Sequence, residues 1–261
     1  MRGDHSLRRR PRAQRYPEGF WRHELMFTSC ARTIVLWMLV VICAVLLIGT
    51  AHASSITYDV LFTDYVSGST LQWLAKKGFQ PKRDATNGNK VVLSHAENGL
   101  VLQTKKQAAG LLLSPVDIHT YSKIRIKWGV DDFPPGASYA KGIRSESIMV
   151  YVFFGTEKIS SGSVLIPNSP YFIGLFLCDS DPIGEGFQGR YFKAGGRYIC
   201  IDQAPKGKEI TTDFPIEETF KLMFGKSSAP AISGIGIGID TEHAKGNGVA
   251  KSFISEIEFL K

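Results

Sequence analysis

Ile124-Arg125-Ile126-Lys127-Trp128-Gly129-Val130-Asp131 sets apolar side chains at every second position and polar or small ones between them. A strand turns successive side chains to opposite faces, so this alternation predicts a half-buried β-strand. Trp128 is in phase with Ile124 and Ile126, which assigns its ring to the core. Beyond the stretch, Asp131-Asp132 runs into Phe133-Pro134-Pro135-Gly136, a turn by composition. Ile148–Phe154 is apolar on both faces, as a strand central in a stack would be.

Working outward, further strand-like runs are Ile56–Phe62, Lys90–Ser94, Leu100–Thr104, Gly110–Leu113, Tyr171–Cys178, Arg197–Ile201, Ile232–Ile239 and Ser252–Leu260. One helix stands out: Pro215 suits its start, Glu217 and Glu218 its positive end, and Gly225 its C-terminal cap. Gln72–Lys77 adds at most a short helical turn. Many strands, turn-rich connections and one short helix predict an all-β protein, an antiparallel β-sandwich. Ile235-Gly236-Ile237-Gly238-Ile239 mimics a nucleotide-binding loop, but its glycines alternate at strand period and no helix follows. Isoleucines would bury one face, and bare glycines would let another element approach the other.

Residues 26–53, MFTSCARTIVLWMLVVICAVLLIGTAHA, read as an export signal. Arg32 gives a basic flank, Ile34–Ile48 an apolar run, and Ala51-His52-Ala53 a small-x-small cleavage site. The domain expected to function is 54–261, periplasmic or secreted. The alternative is a retained signal-anchor with membrane contact through residues 34–51 and the domain outside the cytoplasm. Residues 1–25 are arginine-rich and read as an extension upstream of a start at Met26. The chain has 31 Lys and Arg against 24 Asp and Glu, yet residues 54–261 hold 23 against 21. The basic excess thus belongs to the leader and argues for no nucleic-acid partner. Cys30 and Cys43 leave with a cleaved signal. Cys178 and Cys200 remain, a candidate disulfide in an oxidising compartment or two buried thiols.

Tyr121-Ser-Lys-Ile-Arg-Ile-Lys-Trp128-Gly-Val-Asp131-Asp-Phe-Pro-Pro-Gly136, Val150–Phe154, the helix ending Phe224-Gly225, and Ile232–Glu242 occur in an order that resembles an uncharacterised bacterial exported family, domain of unknown function family 3047. The resemblance covers residues 56–261. It implies one exported domain with a jelly-roll sandwich related to galactose-binding-like and carbohydrate-binding modules, and it implies no activity. The chain departs from that pattern at two acidic runs. It reads Arg144-Ser145-Glu146 before the central strand and Asp240-Thr241-Glu242-His243-Ala244 after the glycine run.

The sequence has no GxSxG, HExxH or P-loop motif. Acids at strand ends are the best functional material: Asp131, Asp132, Glu146, Asp240 and Glu242. Gathered at one rim they would grip sugar hydroxyls or Ca²⁺, or, as a suitably spaced pair, hydrolyse a glycosidic bond. Spread apart, they would serve only solvent and turn amides. Asp64 and Glu258, near the first and last strands, form a weaker Ca²⁺ pair; no other cofactor is implied. Trp73, Phe187, Tyr191 and Phe192 lie in polar or glycine-rich surroundings where an exposed ring would stack on a sugar, and Gly184–Phe192 reads as a loop. The expected function is non-catalytic binding of carbohydrate or another envelope polymer. The alternatives are an envelope glycan hydrolase or lyase using the acids, and a structural protein with no small-ligand site.

Overall fold

The computed structural model describes residues 54–261. The export-signal reading, the basic extension, Cys30 and Cys43 all lie outside the described residues. In chain order the elements are β1 (Ile56–Leu61), α1 (Thr70–Lys76), β2 (Gln80–Arg83), β3 (Val91–Ala96), β4 (Gly99–Thr104), β5 (Ala109–Ile118), β6 (Lys123–Asp132), β7 (Glu146–Ile159), β8 (Ser169–Leu177), β9 (Gly186–Phe187), β10 (Gly196–Asp202), β11 (Ile210–Phe214), α2 (Ile216–Phe224), β12 (Ile232–Asp240) and β13 (Ala250–Leu260). They form two sheets. The first runs β11-β6-β13-β4-β3 with β1 also paired to β13, and the second runs β2-β5-β12-β7-β8-β10-β9. The described residues are a β-sandwich.

The alternation at 124–131 sits in β6, between β11 and β13. Ile124, Ile126, Trp128 and Val130 are all fully buried. The Trp128 indole N–H donates to Thr212 Oγ1 on β11 at 3.2 Å, so the largest core side chain is also satisfied as a donor. Ile148, Val150 and Val152 of β7 and Ile235, Ile237 and Ile239 of β12 face this layer from the second sheet. Burying such branched side chains from both sheets is the main force holding the two layers together, at about 25 cal/mol per Å² of apolar surface.

Two details differ from the expectation. The pairing is not wholly antiparallel, because β10 runs parallel to β8, with Gly196 beside Phe172 and Cys200 beside Phe176. A parallel neighbour requires a long crossover rather than a hairpin, and residues 178–195 supply it. The described residues also contain two short helices, not one. On α2, Ile216 and Phe220 are buried, Glu217 and Glu218 occupy the first turn, and Gly225 closes the end at φ +63°. That left-handed angle is one a glycine adopts without steric cost. On α1, Trp73 and Leu74 point inward, and Trp73 packs against Phe62, just past β1, and His95 on β3.

Among the described residues no helix is long and apolar enough to cross a membrane.

Candidate functional site

The outward face of the second sheet is built around β12. Its isoleucines point into the core, so strand alternation turns Gly234, Gly236, Gly238 and then Asp240 outward. On β7 beside it, the outward residues are Met149, Tyr151 and Phe153. Tyr151 lies over the glycines. A Cβ on Gly236 would stand 3.3 Å from the Tyr151 Cβ, and one on Gly238 would stand 3.0 Å from its Cε2. The glycines therefore make room for the ring, as the close-approach reading of the run anticipated. Further along the same face Tyr139 stacks on Phe176 at 4.6 Å and contacts Tyr198 at 5.5 Å and Phe187 at 5.9 Å.

Where β12 ends, the face becomes charged. Asp240 is the register partner of Glu146 at the start of β7. Glu146 is 3% exposed, and its Oε2 accepts the Tyr139 hydroxyl proton at 2.7 Å. Burial, and then the nearby Asp240 charge, hold the Glu146 carboxyl well above the usual carboxylate range. Burial also pushes Asp240 up to about 6; the Glu242 amide and Arg83 oppose the shift, and the Glu242 charge adds to it. Asp240 Oδ1 accepts the Glu242 backbone N–H at 2.9 Å. Arg83, at the end of β2, donates to Asp240 Oδ2 at 3.3 Å and to Glu242 Oε2 at 2.8 Å. Arg83 holds φ +55°, ψ −132°, a backbone region that non-glycine residues rarely occupy.

Loops complete the site. Buried Asp181 accepts the Ser138 hydroxyl at 2.7 Å and the amides of Tyr139 and Ala140 at 2.8 and 3.2 Å. That anchors residues 138–145, and with them Tyr139, to the crossover. Cys178 and Cys200 are joined by a disulfide with their Cα atoms 5.7 Å apart, tying the start of the crossover to β10. Between these loops and the sheet lies a cleft of about 610 Å³, lined among others by Arg83, Tyr139, Arg144, Tyr191, Tyr198 and Asp240. A second hollow of about 630 Å³ opens at the other end of β12, around Lys82, Phe153, Ser233 and Gly234. A hollow on the first sheet, around Glu97, Lys127, Glu209 and Glu256, has no aromatic lining.

The acids named from sequence separate into two sets. Asp240 and Glu242 line the cleft, and Glu146 is Asp240's neighbour across the strands. Tyr191 and Phe192 line it too, and Phe187 belongs to the adjoining aromatic cluster. Asp131 and Asp132 are not among the lining residues, because β6 lies in the first sheet. Asp131 pairs with Lys251 at 2.9 Å, and the Asp132 carbonyl accepts the Ser147 hydroxyl at 2.7 Å. The single rim of acids is corrected accordingly. Trp73 is a core side chain rather than an exposed ring, packed against Phe62 and Tyr65. Asp64 accepts the Trp73 indole N–H at 3.1 Å and is bridged by Lys77, while Glu258 pairs with Arg125 at 3.6 Å. Among the described residues no group of three or more His, Cys, Asp or Glu side chains is placed to hold a metal ion.

Sequence reading missed Arg83, Tyr139, Tyr151, Asp181 and Tyr198. A signal existed for Tyr151 and Tyr198, which stand out of phase with the core residues of their strands. None existed for Arg83, whose strand Gln80-Pro81-Lys82-Arg83 carries a proline and no apolar alternation.

No family model matches the chain, and no curated protein matches it either. Among solved structures, the xyloglucanase domain of a type three effector from Sinorhizobium fredii, in complex with cellobiose, is similar at 10% identity and TM-score 0.40, over 71% of this chain and 95% of that one. The carbohydrate recognition domain of Emp47p is similar at 11% identity and TM-score 0.42, over 82% and 99%. A low affinity xylan binding module from Roseburia intestinalis is similar at 14% identity and TM-score 0.28, over 70% and 96%. At these scores the likeness is one of general outline and carries no functional weight.

Proposed function

We propose that residues 54–261 are a carbohydrate-binding β-sandwich whose site is the cleft at the Asp240 end of β12. One observation carries this reading: a cleft with tyrosine walls and a carboxylate–guanidinium floor lies where β12 ends at Asp240. Sugars present apolar ring faces and polar rims of hydroxyls. Flat aromatic side chains suit the first, and planar charged groups that both donate and accept suit the second. The second hollow at the far end of β12 supports an elongated ligand, a chain rather than a single sugar. We class the sandwich as a jelly roll, a reading supported by the chain crossing between sheets at most of its connections.

The test is retention of the purified protein by a panel of linear polysaccharides. Binding lost on Tyr191→Ala and kept on Asp131→Ala is the expected result, and no retention across the panel overturns the reading. Glycan hydrolysis is the second reading. It is favoured by the Glu146–Asp240 pair, two carboxyls with raised pKa on neighbouring strands. Burial of Glu146 behind Tyr139 weighs against its reaching a substrate, so binding is preferred. Release of reducing ends from a retained polysaccharide, abolished by Asp240→Asn, would reverse that order.

We further infer that the domain works outside the cytoplasm, in the periplasm or secreted. The supporting features are the apolar run and cleavage site at 34–53 and the Cys178–Cys200 bond, which suits an oxidising compartment. N-terminal sequencing of protein from producing cells tests it: Ser54 as first residue is expected, and a cytosolic chain starting at Met1 or Met26 contradicts it.

A further inference from the structure

The cleft's charges are unevenly spent. Arg83 is engaged by both acids that line it, Asp240 and Glu242. Two other guanidinium groups line the same cleft, those of Arg144 and Arg190. Neither lies within ion-pair distance of an acid among the described residues. Arg144 Nε is buried with no hydrogen-bond partner there. Arg190 meets the ring of its neighbour Tyr191, 5.4 Å from the centroid. His243 stands at the same opening. The remaining acid nearby, Glu146, is buried and hydrogen-bonded to Tyr139, and it does not line the cleft.

A buried N–H without a partner is costly, and structures rarely retain one unless something else satisfies it. Guanidinium presents a planar fork of donors matched to the two oxygens of a carboxylate, or to the oxygens of a sulfate or phosphate ester. A neutral sugar offers hydroxyls but no charge to set against two unpaired cations. From the unpaired Arg144 and Arg190 beside the tyrosine walls, we propose that the ligand is a glycan bearing anionic substituents, with Arg144 and Arg190 as the groups that read the anion. This deepens the carbohydrate-binding reading and rests on it.

The experiment is calorimetric titration of the purified full chain with three probes: an oligogalacturonate, its fully methyl-esterified counterpart, and a sulfated neutral oligosaccharide of similar length. The expected result is at least tenfold tighter binding of one anionic probe than of the ester. That preference should weaken with added salt, because exposed charge pairs are screened. Whichever anionic probe wins names carboxylate or sulfate as the substituent. Arg144→Gln and Arg190→Gln are each expected to remove most of the preference, weakening binding of the anionic probe far more than that of the ester, with Arg144→Lys restoring part of it. Melting curves of each variant identify any that fails to fold, and the salt series on the unsubstituted chain does not depend on the variants. Equal affinity for ester and acid overturns the anionic assignment and leaves the carbohydrate-binding reading standing. Failure of all three probes and of neutral polysaccharides overturns both.

Discussion

Glu146 and Asp240 face each other across the adjacent strands β7 and β12, and the fold keeps one of them beneath the Tyr139 hydroxyl. Two carboxyls so placed do not ionise independently, because the charge on either raises the cost of charging the other. Both are shifted upward, Asp240 to about 6 and Glu146 well above its ordinary 4.5.

The shifts fix the sign of a pH effect. A carboxyl whose folded pKa is raised favours the folded state fully below its unfolded pKa, and that contribution fades as pH climbs towards the folded value. The melting temperature should therefore fall as pH rises from about 4.5 through 6 and beyond, with each kcal/mol lost worth roughly 2–4 °C for a domain of this size. Glu146→Gln keeps an acceptor for Tyr139 and cannot ionise. Its melting temperature should vary less over this range and exceed that of the unsubstituted protein at pH 8. A parallel pair of pH profiles would show that Glu146 is not the source.

The glycine stripe makes a steric prediction. Gly238 gives up its Cβ where the Tyr151 ring passes 3.0 Å away, so Gly238→Val must displace that ring. The substitution should weaken polysaccharide retention, while overpacking costs typically 1–3 kcal/mol of stability. Gly246, which has φ +64° and nothing within 4 Å, lies away from the stripe, and Gly246→Ala should leave retention intact. Equal retention by the two variants would show that the Tyr151 ring does not support the cleft's tyrosine walls.

Reducing the Cys178–Cys200 bond frees the crossover that carries Phe187, Arg190 and Tyr191. A bond closing a loop of 22 residues contributes roughly 2–4 kcal/mol. Cys178→Ser with Cys200→Ser should lower the melting temperature and loosen ligand binding together. Dithiothreitol should reproduce both effects on the unsubstituted chain and leave the double variant unchanged.

Arg83 holds a positive φ while bridging Asp240 and Glu242. Arg83→Gly relieves backbone strain of about 1–3 kcal/mol and loses partly exposed ion pairs worth roughly 0–1 kcal/mol each. The melting temperature should hold or rise, while ligand binding falls and the Asp240 pKa climbs. A lower melting temperature with unchanged binding would make Arg83 a structural residue only.

Much of the sandwich was legible because burial writes a period into the chain. Ile124 to Val130 and Ile235 to Ile239 alternate so regularly that their strands and inward faces follow from sequence alone. The parallel β8–β10 pair was not legible, since pattern reports that a strand exists and not which neighbour it takes. The two-residue β9 and the polar β2 leave almost no periodic trace. At the site, Asp240, Glu242 and Tyr191 were found because acids and rings beside turns are conspicuous. Trp73 misled for the same reason: its polar sequence neighbours Gln72 and Lys76 sit on the solvent side of a helix whose other side buries the ring. Tyr139 and Asp181 belong to loops joined by hydrogen bonds between residues about 40 apart, a relationship that no local pattern records.

The central claim is that a carbohydrate lies in the cleft lined by Tyr139, Tyr191, Tyr198 and Asp240. Hydrogen exchange of the full chain, with and without a retained polysaccharide fragment, tests it most directly. The account predicts slowed exchange at residues 138–146, 186–198 and 240–244, with the first sheet unchanged. Protection confined to the first sheet, or none at these segments under saturating ligand, would contradict it.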